Sequence, residues 1–167
     1  MGERRIIVDN VKIAYEGLFD FNEFFLFLHK WFNDKNYEQW EKKNFEYDTP
    51  EGRHIEIEIE PWRKPTDYAK CSLNVVIIAN NMKDVVIKKD NVPIKMNKGK
   101  LSVKIIGYLE TDYQHRWEGK PYFYFIRTVI DKWVYKFHTE KYEEFVADEA
   151  NQLIYAIKSF LNLYKYY

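Results

Sequence analysis

The sequence predicts an α+β fold: a curved antiparallel β-sheet with a helix near the N-terminus and two C-terminal helices packed on it. Three observations lead there. Between Arg53 and Asp112 the residues read as four or five strands in succession. Within that run His54, Glu56, Glu58 and Glu60 alternate with Ile55, Ile57 and Ile59, the period of two that marks a half-buried antiparallel strand. Apolar residues at helical spacing follow Asp20 and return from Pro121 onward. An order of β, α, a run of β and then α-α puts helices on one face of an antiparallel sheet.

Residues 5 to 15 fit one long strand or a tight hairpin turning at Asp9-Asn10, with Val11, Ile13 and Tyr15 alternating against Lys12 and Ala14. Gly17 ends the pattern. Asp20 reads as a helix N-cap, and Glu23 three residues on completes a capping box. In the helix from Phe21 to about Lys35, Phe24, Leu28, Trp31 and Phe32 share one face, while Phe25 and Phe27 widen the stripe. A stripe that broad must be covered on more than one side.

Trp40 to Asp48 reads as a strand with Phe45 and Tyr47 facing inward, and Thr49-Pro50-Glu51-Gly52 as a turn, because proline fixes one dihedral and glycine tolerates the next. Residues 42 to 60 therefore form a hairpin. Pro61 and Pro65 bracket Trp62-Arg63-Lys64 in a connection expected to lie outside regular sheet. The strand 68 to 79 puts Cys71, Leu73, Val75 and Ile77 on one face. Asn80-Asn81, Asp90-Asn91 and Asn97 to Lys100 read as turns. Pro93 suits an edge, and Gly107 a bulge in the strand 101 to 112.

From Pro121 the period becomes helical, with Tyr122, Ile126, Val129, Ile130 and Trp133 on one face of a helix 122 to 137. A break near Phe137-His138-Thr139 is expected, with Thr139 capping a last helix. Val146, Ala150, Leu153, Ile157, Phe160 and Tyr164 mark that helix in a four-three rhythm.

Composition narrows the function classes. A chain of 167 residues fits a single domain, 1–167, with a sizeable core. Lysine plus arginine equal aspartate plus glutamate at 26 each, so no net field draws the chain to nucleic acid, which ranks low as a partner. The single cysteine, Cys71, rules out an internal disulfide and suits an inert buried thiol on an apolar strand face. The start carries no signal-peptide pattern, and Ile6 stands where a myristoylation signal needs Ser or Thr. No run of about 18 apolar residues exists to form a transmembrane segment. The expectation is a soluble cytoplasmic protein.

No phosphate-binding glycine loop or serine nucleophile elbow occurs. The four histidines (His29, His54, His115, His138) show no metal-ligand spacing, so neither metal nor cofactor is expected. His54, Glu56 and Glu58 share a strand face that can meet a cation, but a solvated outer face explains them more simply. The stretch Glu110 to Glu118 gathers Tyr113, His115, Arg116 and Trp117 with three carboxylates. Such a junction rims a cavity or partner surface, or is a loop pinned by stacking of arginine on rings. Trp62 and Arg63 have the same character. The six candidate ligand-binding residues are Trp62, Arg63, Tyr113, His115, Arg116 and Trp117.

The strand before residue 20, the strand run 42 to 112 and the final helix 140 to 164 together resemble the helix-grip, or START-like (SRPBCC), superfamily in element order. The resemblance implies a curved sheet wrapped round a long C-terminal helix with a cavity for a hydrophobic ligand, and no universal catalytic residue. This chain departs in having one clear helix after its first strand, where two are usual, and an additional helix before the last. The function expected first is a non-enzymatic binding domain holding a hydrophobic small molecule between sheet and C-terminal helix. The second is an interaction module presenting an aromatic surface or sheet edge to a protein partner, its own copy included. The third is a small cyclase- or hydrolase-like enzyme using His115 with Asp112 or Glu110.

Overall fold

The computed structural model describes residues 3–66, 69–89, 92–111 and 136–164. Along them β1 (Glu3–Phe19) leads to α1 (Phe21–Asp34). The strands β2 (Glu38–Thr49), β3 (Gly52–Arg63), β4 (Ala69–Lys89) and β5 (Val92–Thr111) follow, and then α2 (Lys136–Tyr164). Strands β2 to β5 form an antiparallel meander, and β1 pairs antiparallel with the far side of β5, giving the order β1-β5-β4-β3-β2.

The period-two patterns become one buried face. Ile55, Ile57 and Ile59 of β3 line up with Cys71, Leu73, Val75 and Ile77 of β4 and with Leu101, Val103 and Ile105 of β5. Phe21, Phe24, Leu28 and Phe32 of α1 join the same core, as do Val146, Ala150, Leu153, Ile157 and Leu161 of α2. Helix α2 lies over β1, β4 and β5, whereas α1 adjoins β2. The two helices meet where Phe160 stacks on Phe27 at 4.8 Å and tilts against Phe24 at 5.7 Å. Offset and tilted ring pairs of this kind are favoured by their quadrupoles.

Asp20 caps α1 as the sequence implies: its Oδ1 accepts a hydrogen bond from the Glu23 N–H at 2.9 Å. At the other end Asn36 adopts φ 57° and turns the chain into β2. The opposite face of the sheet is charged. Lys43 pairs with Glu56 at 2.7 Å, Lys42 with Glu58 and Glu60, and Arg4 with Glu60 at 2.9 Å.

Several expectations need correction. One C-terminal helix is described, not two: α2 runs unbroken through Phe137, His138 and Thr139, so Thr139 is no cap. His and Thr cost only a few tenths of a kcal/mol each in a helix interior, and no proline enforces a break. The rest of the expected helix 122 to 137 lies outside the described residues.

Of the two alternatives for residues 5 to 15, the one long strand forms, and Asp9-Asn10 is a bulged passage within it with Asn10 at φ 47°. Likewise Asn80-Asn81 is a bulge inside β4, with Asn81 at φ 54°, and residues 97–100 continue β5 instead of turning. The Pro61 connection is also strand. It pairs with Gln39 of β2, while the β3–β4 ladder resumes at Trp62↔Ser72. Proline tolerates a strand where its missing N–H leaves no ladder bond unmade.

Candidate functional site

The sequence placed Trp62 and Arg63 side by side, and the strand sends them to opposite faces, as its alternation requires. Trp62 lies beneath the ammonium groups of Lys64 and Lys70 at 5.1 and 5.2 Å on the charged face. Arg63 turns to the helix side. Its guanidinium stands 4.2 Å from the Phe145 ring centre and 5.2 Å from that of Tyr37. It also donates from Nη1 to the Lys35 carbonyl at 2.8 Å. That carbonyl belongs to the C-terminal end of α1, where unpaired acceptors and the negative pole of the helix favour a cation.

Arg63 completes a buried polar knot. Glu149 of α2 is only 5% exposed, and its Oε1 takes Lys35 Nζ at 3.2 Å and Arg63 Nη2 at 3.9 Å. Tyr37 and Cys71 adjoin it. Burial pushes the Cys71 thiol up to about 12, with Arg63 opposing and Glu149 adding to the push. Burial, reinforced by Glu149, also raises the Tyr37 phenol. A thiol and phenol held neutral are poor nucleophiles at physiological pH, so the knot holds charge and does not deliver a thiolate. Among the described residues Glu149 Oε2 and Arg63 Nε have no hydrogen-bond partner. Beside them opens a cleft of about 500 Å³ lined by Asn36, Glu38, Trp62, Arg63, Lys64 and Phe145.

A second concavity of about 410 Å³ lies at the other end of α1, between its first turn and the sheet. Its floor is apolar, made by Phe21, Phe25, Ile55, Ile57, Met82 and Met96. Its rim is polar. Arg53 is gripped by Glu46 at 3.1 Å and Asp84 at 3.0 Å, and Asn97 donates to Asp84 at 2.7 Å. Asn97 Oδ1 also accepts from the Phe21 N–H at 3.0 Å, tying the helix start to β5. An apolar floor with a few convergent polar groups is the usual make-up of a small-molecule site.

Tyr113, His115, Arg116 and Trp117 lie outside the described residues, as does Asp112. The strand ends that lead toward both candidate stretches do share one end of the sheet: Thr111 pairs with Ala69, and Arg63 with Cys71 two residues along the same strand. Glu110, offered as a partner for His115, lies 3.7 Å from Lys70. No motif or spacing in the sequence groups Glu149, Lys35 and Tyr37. One signal was present, since Glu149 borders the apolar stripe of α2 beside Val146, Ala150 and Leu153. Among the described residues no group of three His, Cys, Asp or Glu side chains could hold a metal ion.

No family model matches the chain, and neither a curated protein nor a solved structure matches it. The helix-grip resemblance therefore rests on element order alone. No helix among the described residues is long and apolar enough to cross a membrane.

Proposed function

We propose that this chain is a non-catalytic binding domain that holds an amphipathic small molecule in the groove between the first turn of α1 and the sheet. The observation that carries the reading is the pairing of an apolar floor, Phe25, Ile55, Ile57 and Met82, with the Arg53–Glu46–Asp84 rim. A ligand's apolar body would cover the floor, and its polar end would meet the rim. The site is placed beside α1 because the sheet-facing side chains of α2, Val146, Ala150, Leu153 and Ile157, are packed to 0–1% exposure.

The test uses anilinonaphthalene sulfonate, an amphipathic dye that brightens when it leaves water. Fluorescence should rise on mixing with the native chain. Phe25→Ala, which opens the floor, should weaken the rise, and Asn44→Trp, which caps the exposed rim, should remove it. A rise unchanged in both variants would put the dye elsewhere and end the proposal.

A second reading has its own support. Trp40, Phe45 and Tyr47 on the edge strand β2 are each more than half exposed, so Phe45 and Tyr47 do not face inward as their place in the strand pattern implies. Aromatic groups enriched on an open sheet edge mark a surface for a protein partner. Light scattering of the native chain beside a Trp40→Ser/Phe45→Ser variant tests self-association: a monomer at every concentration would remove a second copy as that partner.

A further inference from the structure

Strands β4 and β5 outrun the sheet. Pairing of β3 with β4 ends at Arg53↔Met82, and pairing of β1 with β5 ends at Phe19↔Asn97. Beyond those points, among the described residues, 85–89 and 92–96 pair only with each other, from Val85↔Met96 to Lys89↔Val92. A two-stranded arm thus leaves the body of the protein, rooted at the Asn80/Lys83 bulge. A free ribbon of two strands gains little stability from its own pairing, and among the described residues no third strand flanks it.

That composition is aliphatic toward the tip and basic along the flanks. Val86 is 63% exposed, Val92 59% and Ile94 38%. The apolar groups occupy both faces, because Ile87↔Ile94 lie on one and Val86↔Lys95 on the other. Lys83, Lys88, Lys95 and Lys98 are exposed, and among the described residues none has an acidic partner within 4 Å. The one carboxylate described on the arm, Asp84, is held by Arg53 and Asn97 at its root. No aromatic residue occurs between 83 and 98.

We propose that this arm docks the protein on an anionic membrane surface, with Val86, Val92 and Ile94 entering the interfacial layer and the four lysines meeting lipid headgroups. Val92 and Ile94 lie on one face, and Val86 and Pro93 stand beside Lys88 and Lys95 on the other, so a flat protein partner covering one face would leave aliphatic groups wet on the opposite face. A nucleic acid would meet the lysines but leave the valines and isoleucine wet, and the arm offers no ring for a base to stack on. Interfacial insertion draws on apolar burial and on attraction of lysines to anionic lipid together. The inference does not depend on the groove holding a ligand.

The test is co-sedimentation of the full chain with phosphatidylcholine vesicles, with and without phosphatidylserine. Binding is expected only when phosphatidylserine is present and should weaken as salt is raised. Val92→Asp/Ile94→Asp and Lys88→Glu/Lys95→Glu should each lower the bound fraction by about tenfold. Both leave the melting temperature unchanged, because none of these side chains belongs to the core. An environment-sensitive dye on Ile94→Cys, with Cys71 buried and unreactive, should report transfer out of water. The proposal is overturned if serine-containing vesicles fail to sediment the folded chain. It is also overturned if the aspartate variant binds as well as the native chain, or if the dye stays in water while a single-stranded oligonucleotide binds.

Discussion

The Lys35 ammonium lies 3.2 Å from the Glu149 carboxylate, joining the end of α1 to the middle of α2 with the carboxylate buried and the lysine side chain 32% exposed. Arg63 approaches the same oxygen from the sheet, so helix, helix and strand are pinned at one point. A carboxylate this buried is tolerable because two cations attend it, and removing one partner costs more than the pair contributes net.

Arg63→Ala is therefore expected to lower the unfolding free energy by about 3 kcal/mol, through the loss of both the cation and its stacking on Phe145. Glu149→Gln keeps the shape and an acceptor, and should cost about 1 kcal/mol. Urea melts of the two variants check the order. Equal losses would show that the knot is no more than packing.

The shifts at Cys71 and Tyr37 give a pH dependence with a definite sign. Below the ordinary thiol value of 9.0 both folded and unfolded chains keep the Cys71 proton. Between there and about 12 the unfolded chain releases it while the fold retains it. Stability should then fall as pH rises through that window, and Tyr37, raised from its ordinary 10.0, acts in the same direction. Chemical melts at stepped alkaline pH measure the slope. Correspondingly, a thiol reagent near neutrality should leave Cys71 untouched until the chain is unfolded.

Gly52 holds the bulge at the root of the arm. It adopts φ +143°, and a β-carbon there would stand 2.7 Å from the Asn81 carbonyl carbon. Gly52→Ala combines an unfavourable backbone conformation with a clash against main chain, and should destabilise by about 2 kcal/mol. Thermal melting of the variant decides. An unchanged midpoint would mean that the bulge can move.

Asp20→Ala removes the acceptor for the Glu23 N–H and should cost about 1 kcal/mol. Asp20→Asn should recover most of that loss in the same denaturant assay, because the amide oxygen still caps.

The hairpin at Thr49–Gly52, the cap at Asp20 and the inward faces of β3, β4, β5 and α2 are legible from residue order. Turn chemistry, first-turn hydrogen bonds and side-chain period all act over a few residues. Asn10 and Asn81 show where that legibility stops. An asparagine at positive φ serves a turn or a bulge equally well, and only the neighbouring strands decide which forms. Continuity of α2 through Thr139 shows the same limit, because His and Thr cost too little in a helix to enforce a break.

The knot was out of reach because Lys35 and Tyr37 come from the α1–β2 joint, Arg63 from β3, Cys71 from β4 and Glu149 from α2, and no spacing rule links these four places. By itself the sequence determined which residues seek the core and the order in which strands and helices follow, since burial pattern and capping are local properties. The tertiary structure alone decided that β4 and β5 would outrun their neighbours. It also decided that Arg63 would face Glu149 while Trp62 faces away. Such outcomes depend on strand register, a relation between distant segments that no short stretch encodes.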